Sequence, residues 1–275
     1  MWNAFKLEWL KLKHYRFFWI LLGMYLVALF VICTFGVFFL EWLKRQGADF
    51  NGIDPTILPI YDFPDIWQNT TYLASFVKIL LAFIVIISVT NDISYLTIRQ
   101  NIIDGITKKT YLLSKLSLIL FLAGFSTLFL FVFGMINGSI YSHVWGASYI
   151  FDEIEFLFAY FYDIVVFCSF AFILALVIRK AGFAIVLLFL YSLMFEPIFT
   201  LVLTESPWTR GTFWVQISDL FPVKAMNGLI PIPYPKYIFR EVTDNIPLKA
   251  LFTSTVWLVI FQLLIYQYLV KKDLK

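Results

Sequence analysis

The segment Asn91-Asp92-Ile93-Ser94-Tyr95-Leu96-Thr97-Ile98-Arg99-Gln100-Asn101-Ile102-Ile103-Asp104-Gly105-Ile106-Thr107-Lys108-Lys109, continuing through Tyr111-Leu112-Leu113-Ser114-Lys115, is a polar interlude between two long apolar runs. Tyr95, Ile98, Ile102 and Ile106 recur at three- and four-residue spacing, which puts them on one face of a helix; Thr97, Gln100, Asn101 and Asp104 fall on the other. The spacing predicts a short amphipathic helix. Gly105 suits the left-handed residue that closes it, and Thr107 suits the N-cap that opens the next helix. Lys108 and Lys109 are expected at a membrane surface, just before the following span. A helix capped in this way between two spans is a fixed strut, able to pass a push into a bilayer.

Outward from this strut the chain resolves into six apolar runs, at about residues 17–40, 72–90, 112–136, 156–178, 183–203 and 250–270. As helices, runs of this length cross a hydrocarbon core of about 30 Å. With 61% hydrophobic, 20% aromatic and 14% charged residues, the 275-residue chain is far more apolar than a soluble domain of its size. The expected fold is all-α and integral to the membrane, one six-span domain covering residues 1–275. A net charge of +3 gives no support to a nucleic-acid partner. Cys33 and Cys168 lie inside apolar runs, and His14 and His143 are the only histidines, so neither a disulfide framework nor a metal site is expected.

Six spans put both termini on one side. Of the 21 Lys and Arg, thirteen fall on that side, seven on the other and Lys78 within a span. This asymmetry predicts a multi-pass protein of the cytoplasmic (inner) membrane with both termini and the strut in the cytoplasm. The first run is too long for a signal peptide and lacks a small-residue cleavage site, so it is kept as span one. Before it, Trp2, Phe5, Trp9 and Leu12 form a stripe flanked by Lys6, Lys11, Lys13 and His14, as in a helix lying among lipid headgroups. Residues 41–71, bearing Asp49, Asp54, Pro55 and Pro59, make an acidic outer loop. Arg179-Lys180-Ala181-Gly182 is a turn so short that it demands antiparallel neighbours. The longest loop, Thr204 to Leu248, has an amphipathic middle from Phe213 to Ile230 that is expected to dip into the outer leaflet.

Three ionisable residues fall within spans: Lys78, Asp163 and Glu196. At 1.5 Å per residue all three lie roughly 9 to 11 Å below the outer ends of their helices. Lys78 either pairs with Asp163 or Glu196, since a charge in a membrane needs a partner, or snorkels to an outer vestibule. Pro197 directly follows Glu196 and is expected to kink or end span five there.

The run Thr97 to Lys109 with Tyr111-Leu112-Leu113-Ser114-Lys115 resembles the coupling-helix region of ABC-2 type permeases: an amphipathic helix, a Gly, basic residues and a Lys entering span three. That family often has Glu at the start of this region, where this chain has Asn91-Asp92. The resemblance implies the fold of type V ABC exporters, with the N-terminal helix as connecting helix and re-entrant helices in the last outer loop. It implies that Asp92, Tyr95, Ile98, Arg99, Ile102, Asp104, Gly105, Ile106, Lys108 and Lys109 couple the chain to a separate ABC ATPase subunit. The chain would then hold no cofactor of its own, with ATP and Mg in the partner. It would work among membrane lipids as a homodimer, or as a heterodimer with a related permease, exporting an amphipathic substrate. Gly105-Ile106-Thr107-Lys108-Lys109-Thr110 lacks the glycine spacing of a phosphate-binding loop, in keeping with a permease that is not itself an enzyme. Two other classes are weighed against this. A secondary transporter or channel leads one to expect an internal repeat or more midplane charge. An intramembrane enzyme has only Tyr162-Asp163 as a hint, without a GxGD partner or an HExxH motif.

Overall fold

A computed structural model describes residues 2–45, 61–95, 97–103, 105–142, 146–206, 208–209, 212–233 and 245–271. The expectations for Asp49, Asp54, Pro55 and Pro59 in the first outer loop lie outside these residues. The described chain is helical: α1 (Trp2–Leu12), α2 (Arg16–Arg45), α3 (Ile66–Ser75), α4 (Lys78–Ser94), α5 (Thr97–Ile103), α6 (Lys108–Tyr141), α7 (Ala147–Phe151), α8 (Glu155–Ile178) and α9 (Ala181–Leu190) come first. A π-helical turn (Tyr191–Phe195), α10 (Glu196–Glu205), α11 (Phe213–Ser218), α12 (Pro222–Asn227), α13 (Leu248–Tyr266) and a closing π-helical turn (Gln267–Lys271) complete it.

Five stretches are long and apolar enough to cross a bilayer: Arg16–Thr34, Lys108–Tyr141, Ser148–Ile178, Ala181–Glu205 and Leu248–Leu269. The α3 and α4 pair, bent by 45° at Phe76-Val77, is a sixth candidate. This is the architecture of a helical multi-pass membrane protein.

The bundle is built round α8. Its sequence is apolar on all sides, and such a helix belongs in the middle; it packs against α3, α4, α6, α12 and α13. Small buried residues, Ala159, Cys168, Ser169, Ala171 and Ala175, let neighbouring backbones approach closely. Tyr160 closes a buried hydroxyl cluster across three helices. Its Oη lies 2.8 Å from Tyr25 Oη of α2 and 2.9 Å from Ser126 Oγ of α6, and Ser126 and Tyr25 also bond to each other. In lipid such groups have no water to turn to, so the cluster fixes which faces of α2, α6 and α8 meet.

Among the described residues Trp67 is the largest fully buried side chain. Its ring stacks on Phe131 at 5.8 Å and its Nε1 donates to the Ile150 carbonyl at 2.7 Å. Gly134 makes room for it: a Cβ there would lie 2.5 Å from the indole ring.

The structure bears on three further expectations. The run expected as span two, roughly Tyr72 to Thr90, is not one continuous helix: helical structure starts at Ile66 and is broken at Phe76-Val77 before α4 begins. Of the two outcomes expected at Pro197, a kink or an end of span five, the end does not occur, and the regular α-helix is interrupted by a π-helical turn just before it. A proline cannot donate to the carbonyl four residues back, and the strain is absorbed by the preceding π turn, so helical structure runs on to Glu205. The stripe of α1 is covered by protein: Phe5 and Trp9 lie 5.1 and 5.6 Å from the Phe121 ring of α6, and Leu12 is buried. The Trp2 side chain lies outside the described residues.

Gly134→Ala should push the Trp67 ring off its site at a cost of about 1–3 kcal/mol, the usual range for overpacking. A lowered melting temperature of the purified protein in detergent checks this.

Candidate functional site

Past α5, the stretch that separates α4 from α6 carries the helix-ending and helix-starting residues that its sequence predicts. Gly105 has φ +89°, the left-handed conformation that a β-carbon resists. The Thr107 hydroxyl accepts the Thr110 N–H at 3.1 Å and starts α6 at Lys108. Both lie after α5, which is only two turns long, and this splits the expected apolar stripe. Tyr95 sits in the turn after α4 and is 77% exposed, while Ile98, at 5%, is turned into the core of its own chain. Ile103, outside the expected stripe, is 84% exposed. Ile106 is half-buried beyond Gly105, Lys108 is half-buried and Lys109 is exposed. Asp104, and the side chains of Arg99 and Ile102, lie outside the described residues. Among the described residues the outward apolar side chains are therefore Tyr95 and Ile103, and Ile98 anchors the helix instead.

The helices that flank α5, α4 and α6, share a buried ionic cluster with α1. Lys115 of α6 is 1% exposed and its ammonium is paired with the Glu8 carboxylate of α1. The same Nζ lies 2.6 Å from Asp92 Oδ2 of α4 and 2.6 Å from Ser88 Oγ. Ser88 in turn donates to Glu8 Oε1 at 2.5 Å, and Lys11 Nζ reaches Asp92 Oδ1 at 3.1 Å. Two acids and two bases thus balance. Asp92, expected at the coupling surface, is 5% exposed and serves this cluster. Glu8 was missed by sequence reasoning although a signal existed. Phe5, Glu8, Trp9 and Leu12 stand at i, i+3, i+4 and i+7, so Glu8 is an acid on the apolar stripe, where a charge needs a partner.

At the opposite end of α4, Lys78 Nζ donates to both oxygens of Asp163, at 2.7 and 2.8 Å, and to Asn227 Oδ1 at 3.2 Å. It also lies 5.1 Å from the centre of the Phe167 ring. Of the two acids left open as partners, Asp163 takes the lysine. Glu196 acts elsewhere, its Oε1 accepting the Lys224 N–H at 2.7 Å, so it caps the first turn of α12 from a neighbouring helix. Further along, Asp219 lies 2.9 Å from Lys224 Nζ and 2.6 Å from Lys249 Nζ. Partial burial raises its pKa, but hydrogen bonds and charge from the two lysines outweigh this and hold it below the ordinary carboxylate range. The stabilisation is thus present above that range and fades only as pH falls through the lowered value.

Two cavities open beside these groups. One of about 370 Å³ is lined by Tyr72, Lys78, Phe167, Ser192, Asn227 and Ile232. The other, of about 290 Å³, runs between α10 and α12 past Glu196, Thr200 and Glu205. Among the described residues no group of His, Cys, Asp or Glu is placed to hold a metal ion.

Residues 56–275 match the family described as a protein of unknown function, DUF2705. The chain belongs to that family. No curated protein matches the sequence. The DUF2705 match takes in α3 to α13, and so contains α5, Asp92, Lys115 and the Lys78–Asp163 pair; α1 and α2 precede it, Glu8 among them.

Removing one member of a buried ion pair typically costs about 3–5 kcal/mol, because its partner stays charged and unpaired. Lys115→Met should therefore destabilise strongly, and adding Glu8→Gln should recover part of the loss. Lys78→Met should behave alike, with recovery on adding Asp163→Asn and none on adding Glu196→Gln. Unfolding of the single and double variants in detergent measures each coupling.

Proposed function

We propose that this chain is the transmembrane permease subunit of an ATP-driven ABC exporter. It lies in the cytoplasmic membrane with six spans and cytoplasmic termini, and the bent α3–α4 pair is the second span. The observation that carries this reading is the stretch around α5: a short helix with a left-handed glycine after it and a threonine cap on the next, with Tyr95 exposed just before it and Ile103 exposed at its end, between two long apolar helices. An exposed aromatic side chain before a short helix and an exposed aliphatic one at its end suit a groove on a partner protein. The partner is a separate ABC ATPase subunit, which holds ATP and Mg; this chain supplies no nucleotide-binding motif.

Closure of two ATPase subunits would press on α5. Since α5 joins α4 to α6, and Lys115 ties both to α1 through Asp92 and Glu8, the three helices would move together. The chain pairs with a second copy or with a related permease, and the rocking of the two moves an amphipathic substrate outward.

Tyr95→Asp and Ile103→Asp place a charge on a surface that is exposed within this chain, so both variants should fold with unchanged stability. Each should cost several-fold or more in co-purification of the ATPase subunit, since a desolvated, unpaired charge costs about 2 kcal/mol or more at such a contact. Full ATPase retention and full transport by the double variant would overturn the assignment of α5.

A further inference from the structure

Two irregular stretches of backbone meet at one cavity. The break between α3 and α4 gives Ser75, Phe76 and Lys78 to the wall of the cavity of about 370 Å³, and the π turn before Pro197 gives it Ser192 and Leu193. Backbone that departs from a regular helix at membrane depth is tolerated where it is buried in protein or lines a cavity, and single π turns are frequent at functional sites. The space falls within the range of about 300–1,000 Å³ that small-molecule sites occupy. Phe76, Leu193 and Ile232 in its wall are exposed, so it opens to the surface of the chain, whereas Phe167 and Val223 are buried.

Among the described residues of this wall only Lys78 is charged, and its ammonium is fully engaged. Two of its protons go to Asp163 and the third to Asn227 Oδ1. Whichever of Lys78 and Asp163 holds the shared proton, the pair is neutral overall. An anion entering the cavity meets no free N–H on a cation, and a cation meets no free carboxylate, so either is desolvated without compensation. The bond to Lys78 also fixes the Asn227 amide, because an ammonium only donates and must face Oδ1. Nδ2 is left with two N–H groups that no hydrogen bond among the described residues uses. Asn227 is exposed and lines the cavity, so a ligand can reach them. Ser75 and Ser192 give their protons to backbone carbonyls and keep lone pairs for a donor. A purely apolar occupant would cover Nδ2 and leave it unpaired. What fits is an apolar body with an uncharged head that accepts hydrogen bonds.

We infer that this cavity binds an uncharged amphiphile whose carbonyl-type head accepts from Asn227 Nδ2 and whose chain lies along Ile79, Phe167 and Val223. It deepens the transport reading, on which it rests for the ligand's being cargo. The isolated chain should bind without an ATPase, so the site and the transport reading fail separately.

The test places the full chain in phosphatidylcholine nanodiscs and titrates it with radiolabelled decanamide, decylammonium and decyl sulfate, which share a ten-carbon chain and differ in head charge, with empty nanodiscs as the blank. Saturable binding of decanamide is expected, with both charged probes about tenfold weaker or more. Asn227→Leu removes the two N–H groups, keeps the volume and leaves Lys78 on Asp163; it should weaken decanamide by about tenfold. Ile232→Trp, at an exposed position, should fold in any case and obstruct the opening, weakening decanamide several-fold, which keeps the test decisive if Asn227→Leu unfolds. Equal binding of the three probes, tighter binding of a charged one, decanamide binding indifferent to both substitutions, or no saturable binding would overturn the inference.

Discussion

A lysine ammonium cannot sit alone in an apolar bundle, and the base of this protein is arranged around that constraint. Lys115 is enclosed by Glu8, Asp92 and Ser88, which come from α1 and α4. Each partner brings its helix with it. The cluster therefore does what apolar contact does poorly in lipid, where burying one apolar face against another gains little over leaving it in hydrocarbon. It selects one register for three helices, because a slip of one residue strands a charge. Whether such a pair adds net stability over a well-packed apolar replacement is a separate matter from this specificity.

The coarse fold was legible because its signals are strong. Runs of apolar residues long enough to cross a membrane need no tertiary information, and Gly105 and Thr107 declare a helix end and a helix start by their backbone and hydrogen-bonding preferences alone. The pairing of Lys78 was legible only as a choice between two acids. The deciding fact is that α12 needs its first amide groups satisfied, and Glu196 is the carboxylate that reaches them. That depends on where a distant short helix folds back, which neither periodicity nor charge counting conveys.

The less legible parts failed for related reasons. The stripe through Tyr95, Ile98, Ile102 and Ile106 assumed one continuous helix. Tyr95 precedes α5 and Ile106 follows the left-handed Gly105, so the periodicity did not apply across the whole segment. Pro197 was expected to kink or end span five; a π turn stands immediately before it and the helix continues, and a local widening of this kind has no clear sequence signature. Glu8 was overlooked among neighbouring lysines, where an acid looks like one more solvated charge until the helix is drawn as a wheel.

The two ionic clusters sit at opposite ends of one helix, and this gives α4 a distinctive mechanical character. Lys78 is its first residue, held to α8 through Asp163; Asp92 lies fourteen residues on, held to α6 and α1 through Lys115. The pinned points are about 21 Å apart at 1.5 Å per residue, and the intervening turns are apolar and buried along one side. A helix fixed by ion pairs at both ends resists sliding and bending between them. The break in this part of the chain falls at Phe76-Val77, immediately outside the pinned segment. Any displacement imposed at α5 would thus reach Lys78 with little loss and appear at the bend, beside the cavity that Lys78, Asn227 and Tyr72 line. On the transport reading, that places the yielding joint next to the space a substrate would use, and the stiff element between it and the surface where a partner would push.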